Sequence, residues 1–439
     1  MTIATALHEL ARANPGRLAL RGGDEQLTLA ELDLRARVAA RVILDRRLAR
    51  VTLAAPGSID LAVAFLGALY AGRAVVPLHV DTPAAQRAEV VDPRALQSGG
   101  PIDAPIDGDV ALVLSTSGTT GAARGVVIGH DSLARHTAAV ARVLALTPAD
   151  VVLAVLPLAH SYGCRMALLA PLLCGATVVI AERFSARASL ALLAEHRVTW
   201  VPVVPTMLAA WVALPGAPTA LCWCLSAGAP LPDALYRAAE ARLGCEVRQG
   251  YGLSEASFAT LDAPPARRGM GTVGRALPGV ELALAASGEV LVRGDNLMRG
   301  YEEGGVLTPI DRRDWLATGD VGRLDASGRL VIMDRLKDVV LVGGYTVHPA
   351  EVEAAIAAHP AVQAVAVVGR PHPFSGEELV AHVVTTLADP REIEPFICER
   401  LVTYKVPRVW RRCAELPLGP SGKVLRRVLR GLPQGGDRT

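Results

Sequence analysis

The feature that most constrains this chain is an alternation, between residues 110 and about 260, of short continuous apolar runs with amphipathic stretches. The runs 110–115, 151–156, 176–180, 199–204, 221–225 and 246–248 predict strands, and 132–144, 186–196 and 233–243 carry helical periodicity. Strands that are apolar throughout and alternate with helices require a parallel sheet covered on both faces. Ligands of such sheets bind at loops beyond the carboxyl ends of the strands. The polar loops at those ends are therefore where chemistry is expected.

After about residue 278 the period changes. Residues 280–293 alternate around Ser287-Gly288, and 322–333 around Ser327-Gly328, which predicts two hairpins in a β-rich section. From Lys337 the pattern becomes α+β: a hairpin at Gly343-Gly344, a helix begun by Pro349, an apolar strand 362–368 and a helix near 393–401. The short charged stretch 334–338 marks the boundary. The expected organisation is a large N-terminal α/β domain, 1–335, of parallel sheets flanked by helices plus a β-rich subdomain (1–109, then α/β at 110–277, then β-rich at 278–335). A small α+β C-terminal domain, 336–439, follows.

With 439 residues the chain exceeds a single ordinary core. Its 45 basic and 43 acidic residues nearly cancel, which gives no reason to invoke nucleic acid or an anionic membrane surface. No run of eighteen apolar residues predicts a transmembrane helix, and the start lacks a basic segment followed by an apolar one, as a signal peptide would have. The seven cysteines show no metal spacing, and their odd number argues against a disulfide framework, so a reducing cytoplasm is expected. Cys222 and Cys224, two apart in an apolar run, are read as buried small hydrophobes on one strand face.

Of the 45 basic residues only three are lysines, Lys337, Lys405 and Lys423. A bias that turns surface lysines into arginines spares those positions where a compact ammonium is needed and a planar guanidinium will not serve. All three are candidates for chemistry.

The strongest local signal follows the first of the six strands: Ser115-Thr116-Ser117-Gly118-Thr119-Thr120-Gly121-Ala122-Ala123-Arg124-Gly125. Dense hydroxyls and backbone N–H groups can close around phosphate oxygens, and glycine allows the close approach. No Gly-Lys-Ser/Thr closes the loop, which disfavours a P-loop kinase or GTPase.

With seven further motifs in order, this loop resembles the adenylate-forming superfamily of acyl-CoA synthetases, plant coumarate:CoA ligases, firefly luciferase and peptide-synthetase adenylation domains. The motifs are Leu156-Pro157-Leu158-Ala159-His160-Ser161-Tyr162-Gly163, Ser226-Ala227-Gly228-Ala229-Pro230-Leu231, Gln249-Gly250-Tyr251-Gly252-Leu253-Ser254-Glu255, Thr318-Gly319-Asp320, Asp334-Arg335-Leu336-Lys337-Asp338, Gly343-Gly344-Tyr345 and Pro420-Ser421-Gly422-Lys423. The resemblance runs from about Leu61 to Leu429.

It implies ATP-dependent formation of an acyl-AMP from a carboxylic acid, with Mg²⁺, and then transfer to a thiol, most often coenzyme A. Lys423 is implied to bridge the carboxylate and the α-phosphate. Glu255 is implied as the Mg²⁺ ligand, Ser254 as a donor to the α-phosphate, and Tyr251 as the adenine's packing partner. Asp320 and Arg335 are implied at the ribose. The nucleotide site takes in Thr116, Ser117, Gly118, Thr119, Thr120, Gly121, Arg124, Gly228, Ala229, Pro230, Gln249, Gly250 and Gly252. The acyl pocket takes in His160, Tyr162, Cys164, Met166, Gly228, Gly250 and Leu253. Lys337 is implied as the hinge of a mobile C-terminal domain, and Gly343 and Gly344 as lining of the pantetheine tunnel. Arg165, in an apolar helix start, is read as facing solvent or a buried acid, in preference to meeting a second substrate carboxylate.

The chain departs from the family in three places. Ala123-Arg124 replaces Pro-Lys at the loop's end, Leu341 stands where luciferase-like members carry a lysine, and the region before residue 110 is several tens of residues shorter than usual. Two other functions fit the same motifs: an enzyme that passes its adenylate to a carrier protein, an amine or another small nucleophile, and a non-catalytic ATP-binding homologue. Intact Lys423, Glu255 and Asp320 argue against the latter.

Overall fold

The computed structural model describes residues 1–82, 89–116, 124–215, 220–263, 269–418 and 424–431. The chain divides into two compact units, one of Met1–Leu282 with Val292–Leu316, the other of Ala283–Leu291 with Ala317–Thr439.

The first unit holds two large sheets. Among the described residues, one has nine strands in the spatial order Arg275–Ala276, Ser257–Leu261, Glu246–Leu253, Trp223–Ser226, Trp200–Val203, Val151–Ala154, Thr177–Ile180, Leu18–Gly22 and Glu25–Thr28. Its centre is parallel, from Glu246–Leu253 across to Leu18–Gly22, and the outer strands are antiparallel. The central strands are buried and branched, with Trp200–Val203 covered on both faces, as the unbroken apolar runs require. Five of the six predicted runs form strands of this sheet.

The sixth, Val110–Thr116, belongs to a second sheet of six strands: Val306–Pro309, Gly300–Glu303, Arg124–Gly129, Val110–Thr116, Ala74–Pro77 and Arg50–Leu53. It pairs antiparallel with Arg124–Gly129 and parallel with Ala74–Pro77. The sequence pattern did not separate the two sheets, because a buried strand carries the same apolar run whichever neighbour it meets. The helix Ile59–Tyr70 is buried at every position but Asp60, and Gly67 is where it presses on the helix Leu29–Asp45: an added Cβ would collide with Ala39.

Cys222 is a correction. It precedes the strand Trp223–Ser226 and is exposed, whereas Cys224 lies within the strand and is buried. The two-residue alternation that would align them does not yet operate at Cys222. Cys224 instead faces Cys245, their sulfurs 3.7 Å apart.

Both hairpins predicted after residue 278 form, with strands Val280–Leu284 and Glu289–Gly294 about the first turn and Leu316–Leu324 and Leu330–Arg335 about the second. The second unit has its own core around Val340, Val347, Val352, Ile356, Val367, Leu379 and Trp410. In its long hairpin, Gly376–Thr385 pairs along one edge with Val362–His372, and along the other with Val340–Val342 at the Gly376 end and with Val409–Arg412 at Val380–Val383. The helix Pro349–Ala357 starts where Pro349 predicts. Among the described residues no helix is long and apolar enough to cross a membrane.

Candidate active site

The Ser/Thr/Gly loop connects antiparallel strands whose register sets Ser115 opposite Gly125 and Thr116 opposite Arg124. Ser117, Gly118, Thr119, Thr120 and Gly121, and the side chain of Thr116, lie outside the described residues, as does Lys423. Arg124 opens the second of these strands. Its Nε lies 3.5 Å from Glu303 Oε2, and its guanidinium sits 5.9 Å from the centre of the Tyr301 ring.

Tyr301 is the residue that sequence reasoning missed. It lies on Gly300–Glu303, which pairs with Arg124–Gly129 so that Tyr301 faces Val126. Its hydroxyl donates to Glu255 Oε1 at 3.1 Å. Burial, and then the Glu255 charge, push this phenol up to about 12, so it stays a protonated donor at neutral pH. One ring thus spans the loop's terminal cation and the candidate metal-binding carboxylate. A lone tyrosine in a polar four-residue strand carries no periodic signal that would have marked it.

Glu255 lies in the turn between the antiparallel strands Glu246–Leu253 and Ser257–Leu261. The expected Tyr-Gly-Leu-Ser-Glu loop is therefore strand as far as Leu253, because Ser257–Leu261 returns alongside it. Gly250 and Gly252 are demanded by that return: a Cβ at Gly250 would strike the Phe258 ring and Leu261, and one at Gly252 the Ser257 carbonyl. Gln249 and Tyr251 are buried, while Leu253, Ser254 and Glu255 are partly exposed. The Glu255 carbonyl accepts from the Met298 N–H at 2.7 Å, which fixes its backbone.

Register brings a second group to the carboxyl end of these strands. Ser226 lies level with Val203 on one side and Gln249 on the other. Beyond Ser226 the chain passes through Gly228, at φ +85°, to exposed Ala229 and Pro230. These are the carboxyl ends of parallel strands, where a ligand is expected.

Tyr162 anchors the pocket segment. Its hydroxyl donates to the carbonyls of Leu225 and Val203, and its ring meets Phe258 edge-on at 5.2 Å. With the hydroxyl committed to two strand ends, the ring is what remains for a substrate. His160, partly exposed, has its ring 6.1 Å from that of His79. Cys164 and Met166 are fully buried on the wide-turned helix Gly163–Leu169, and burial pushes the Cys164 thiol up to about 11.

Arg165 corrects its expectation. It faces neither solvent nor an acid: only 1% of it is exposed, and no carboxylate pairs with it among the described residues. Every residue of Gly163–Leu169 is buried, so no position on that helix looks outward.

In the second unit, Asp320 is buried and its Oδ1 lies 3.1 Å from Arg335 Nε. The preceding residues shape the turn: Thr318 Oγ1 accepts from the Asp320 N–H, and Gly319, at φ +73°, donates its N–H to Glu289. Lys337 is exposed in the short 3₁₀ turn Leu336–Asp338. Asp338, next to it, is held by Arg430 at 2.6 Å. Gly343 and Gly344, at φ +58° and +83°, form the exposed turn between Val340–Val342 and Tyr345–Val347. Of the lysines, Lys405 is accounted for without chemistry by its contacts of 2.7 and 2.6 Å with the Glu351 carboxylate. Leu418 and Val424, which flank the Lys423 segment, form an antiparallel bridge.

For Mg²⁺ the donor set is suitable. Among the described residues Glu255 meets a neutral phenol and no cation, and no cluster of three or more metal-ligating side chains exists. A single carboxylate completed by phosphate oxygens and water is how Mg²⁺ is commonly held.

Two family models match the chain: AMP-binding enzyme over residues 7–97 and 85–302, and AMP-binding enzyme C-terminal domain over 351–423. The chain is 36% identical over 369 residues to a sulfoacetate–CoA ligase of Cupriavidus necator, covering 80% of this chain and 72% of that one. It is 30% identical over 504 residues to a 3-[(3aS,4S,7aS)-7a-methyl-1,5-dioxo-octahydro-1H-inden-4-yl]propanoyl:CoA ligase of Mycobacterium tuberculosis, covering 98% and 99%. Among solved structures, ATP-bound MatB from Rhodopseudomonas palustris superposes with a TM-score of 0.89 at 27% identity, covering 98% of each chain. The o-succinylbenzoate CoA synthetase MenE of Bacillus subtilis, in complex with its acyl-adenylate, gives 0.87 at 26% identity, covering 99% of each.

Proposed function

The chain belongs to the AMP-binding enzyme family, and we propose that it joins a carboxylic acid to coenzyme A through an acyl-AMP, with release of pyrophosphate. The observation that carries this reading is the Arg124–Tyr301–Glu255 arrangement: a cation at the end of a hydroxyl-rich loop and a carboxylate suited to Mg²⁺ share one aromatic ring.

Attack of a carboxylate on the α-phosphate sets two anions against each other, so the protein's task is to position them and neutralise charge. Arg124 holds the nucleotide's phosphates at the Ser/Thr/Gly loop. Ser254 donates to the α-phosphate, and Lys423 offsets charge between carboxylate and phosphate. Bound at Glu255, Mg²⁺ supplies charge neutralisation at the pyrophosphate leaving group. The Tyr301 hydroxyl keeps that carboxylate oriented. Asp320 accepts from the ribose hydroxyls with Arg335 steadying it, and Tyr251 packs beside the adenine. Gly228, Gly250 and the Tyr162 ring bound the acyl group. The second half-reaction falls to the 336–439 domain: Lys337 serves as its hinge, and the Gly343-Gly344 turn leaves room for pantetheine. A reducing cytoplasm suits the seven free thiols.

The acids named for the relatives, from sulfoacetate to a fused-ring propanoate, differ too much to transfer. A library of carboxylic acids is therefore assayed for acid-dependent exchange of labelled pyrophosphate into ATP, then for thioester after CoA is added. Exchange with at least one acid and thioester with CoA are expected. Exchange without any thioester would favour a carrier protein or an amine as acceptor, and no exchange with any acid would refute the reading.

A further inference from the structure

Arg165 is a buried guanidinium with no acid beside it among the described residues. Its Nη1 lies 3.5 Å from His136 Nδ1, while Nε and Nη2 are buried with no hydrogen-bond partner. The tautomer of His136 follows from its other contact. Nε2 lies 2.9 Å from the Phe258 carbonyl, and a carbonyl only accepts, so Nε2 carries the hydrogen and Nδ1 is left as an acceptor. Nδ1 takes Arg165 Nη1–H and, at 3.3 Å, the Ser257 hydroxyl. A neutral imidazole thus supports one arm of the guanidinium and cancels none of its charge. The two unsatisfied donors, Nε–H and Nη2–H, point along one edge of the plane, the edge that binds a carboxylate bidentately.

Burying a cation without a counter-charge is costly, and burial lowers this guanidinium only to about 10, so it stays charged at neutral pH. The surroundings belong to the acyl pocket of the proposed reaction. Arg165 lies three residues beyond Tyr162, and His136 is bonded to the same Phe258 whose ring meets Tyr162 and blocks any side chain at Gly250. Ser257 adopts φ +53°, a left-handed conformation that non-glycine residues rarely adopt outside strained sites, and this delivers its hydroxyl to His136.

We propose that Arg165 is a specificity residue whose free Nε/Nη2 edge binds a second anionic group, carboxylate or sulfonate, on the acid being activated. The inference rests on the ligase reading. His136 is its positioning residue, holding the guanidinium by Nη1 and leaving Nε and Nη2 for the ligand.

The test compares kcat/KM for pyrophosphate release with succinate, glutarate and 3-sulfopropanoate against monomethyl succinate, monomethyl glutarate and butanoate. A site built around a polar partner rejects the analogue that lacks it strongly, so at least one doubly anionic acid should exceed its singly anionic counterpart by about 100-fold or more. In Arg165→Met that ratio should fall to near one, and Arg165→Lys should restore part of it. Should Arg165→Met not fold, Arg165→Lys carries the comparison, with a ratio below that of the wild type expected and an unchanged ratio overturning the inference. Preference for the succinate arm or the sulfonate arm identifies the anion. Equal use of charged and uncharged partners by the wild type, or a ratio unchanged in Arg165→Met, overturns the inference while leaving the ligase reading intact. Absence of activity with every acid, here and in the wider library, overturns both.

Discussion

Asp320 and Arg335 stand opposite each other in the ladder between Leu316–Leu324 and Leu330–Arg335, their Oδ1 and Nε 3.1 Å apart. The carboxylate is buried and the guanidinium about half exposed. The pair is therefore asymmetric: Arg335 fixes a charged acceptor in place while keeping most of its own hydration. Such an acceptor suits two vicinal hydroxyls.

Hydrogen bonds to a charged group contribute about 1.5–3 kcal/mol. Asp320→Ala should therefore raise KM for ATP by about 10–100-fold, with a smaller effect on kcat, because ribose contacts serve ground and transition states alike. Arg335→Ala should raise KM less. Initial rates of pyrophosphate release against ATP concentration check both, and a collapse of kcat at unchanged KM would remove Asp320 from the ribose.

Glu255 and Tyr301 separate in the same assay. Glu255→Gln removes the charge offered to Mg²⁺ and should lower adenylation by about 10²–10³-fold while raising the Mg²⁺ concentration needed. Tyr301→Phe removes one donor to that carboxylate but leaves its charge, and should cost less than Glu255→Gln at an unchanged Mg²⁺ midpoint. If the two variants were equally impaired, Tyr301 would have to act on the reacting groups directly.

The hinge assignment places its test at Lys337. Asp338 is held by Arg430, and Asp334 accepts from the Ala350 N–H at 2.9 Å. The segment is thus fastened at both ends, with Lys337 exposed between them. Lys337→Pro fixes φ near −65° and removes a donor. Single-turnover pyrophosphate release should persist, while thioester formation on adding CoA should fail. Thioester formation at the wild-type rate would show that no rotation about Lys337 is needed.

His136 gives a pH dependence. Burial, and then the Arg165 charge, push it down to about 3 from an ordinary value of 6.5. Because the folded value is depressed, the unfolded chain binds the proton first as pH falls. This contribution to stability is fully present above 6.5 and is lost as pH drops toward 3. The thermal midpoint should fall between pH 7 and 5, and His136→Gln, which keeps a donor and an acceptor without titrating, should flatten that fall. An equally steep fall in the variant would assign the dependence to other groups.

Much of this was legible in the sequence. The apolar runs located the strands, and Ser287-Gly288, Ser327-Gly328 and Gly343-Gly344 located hairpins, because turn residues and buried strands leave local patterns. What the sequence withheld depends on which distant segments meet. Nothing in 110–115 tells that it pairs with Arg124–Gly129 in a separate sheet. Nothing in Gly300–Glu303 tells that Tyr301 reaches Glu255, and an arginine followed by apolar residues reads as a helix edge until the packing around Gly163–Leu169 closes over it.

In the proposed reaction the acid's own oxygen attacks the α-phosphate before CoA is acylated. With a substrate acid labelled with ¹⁸O in its carboxylate, ATP and CoA, mass spectrometry of the products should find one ¹⁸O in AMP for each acyl-CoA formed. Label in orthophosphate with ADP as the nucleotide product, or thioester formed with unlabelled AMP, would rule out an acyl-AMP intermediate.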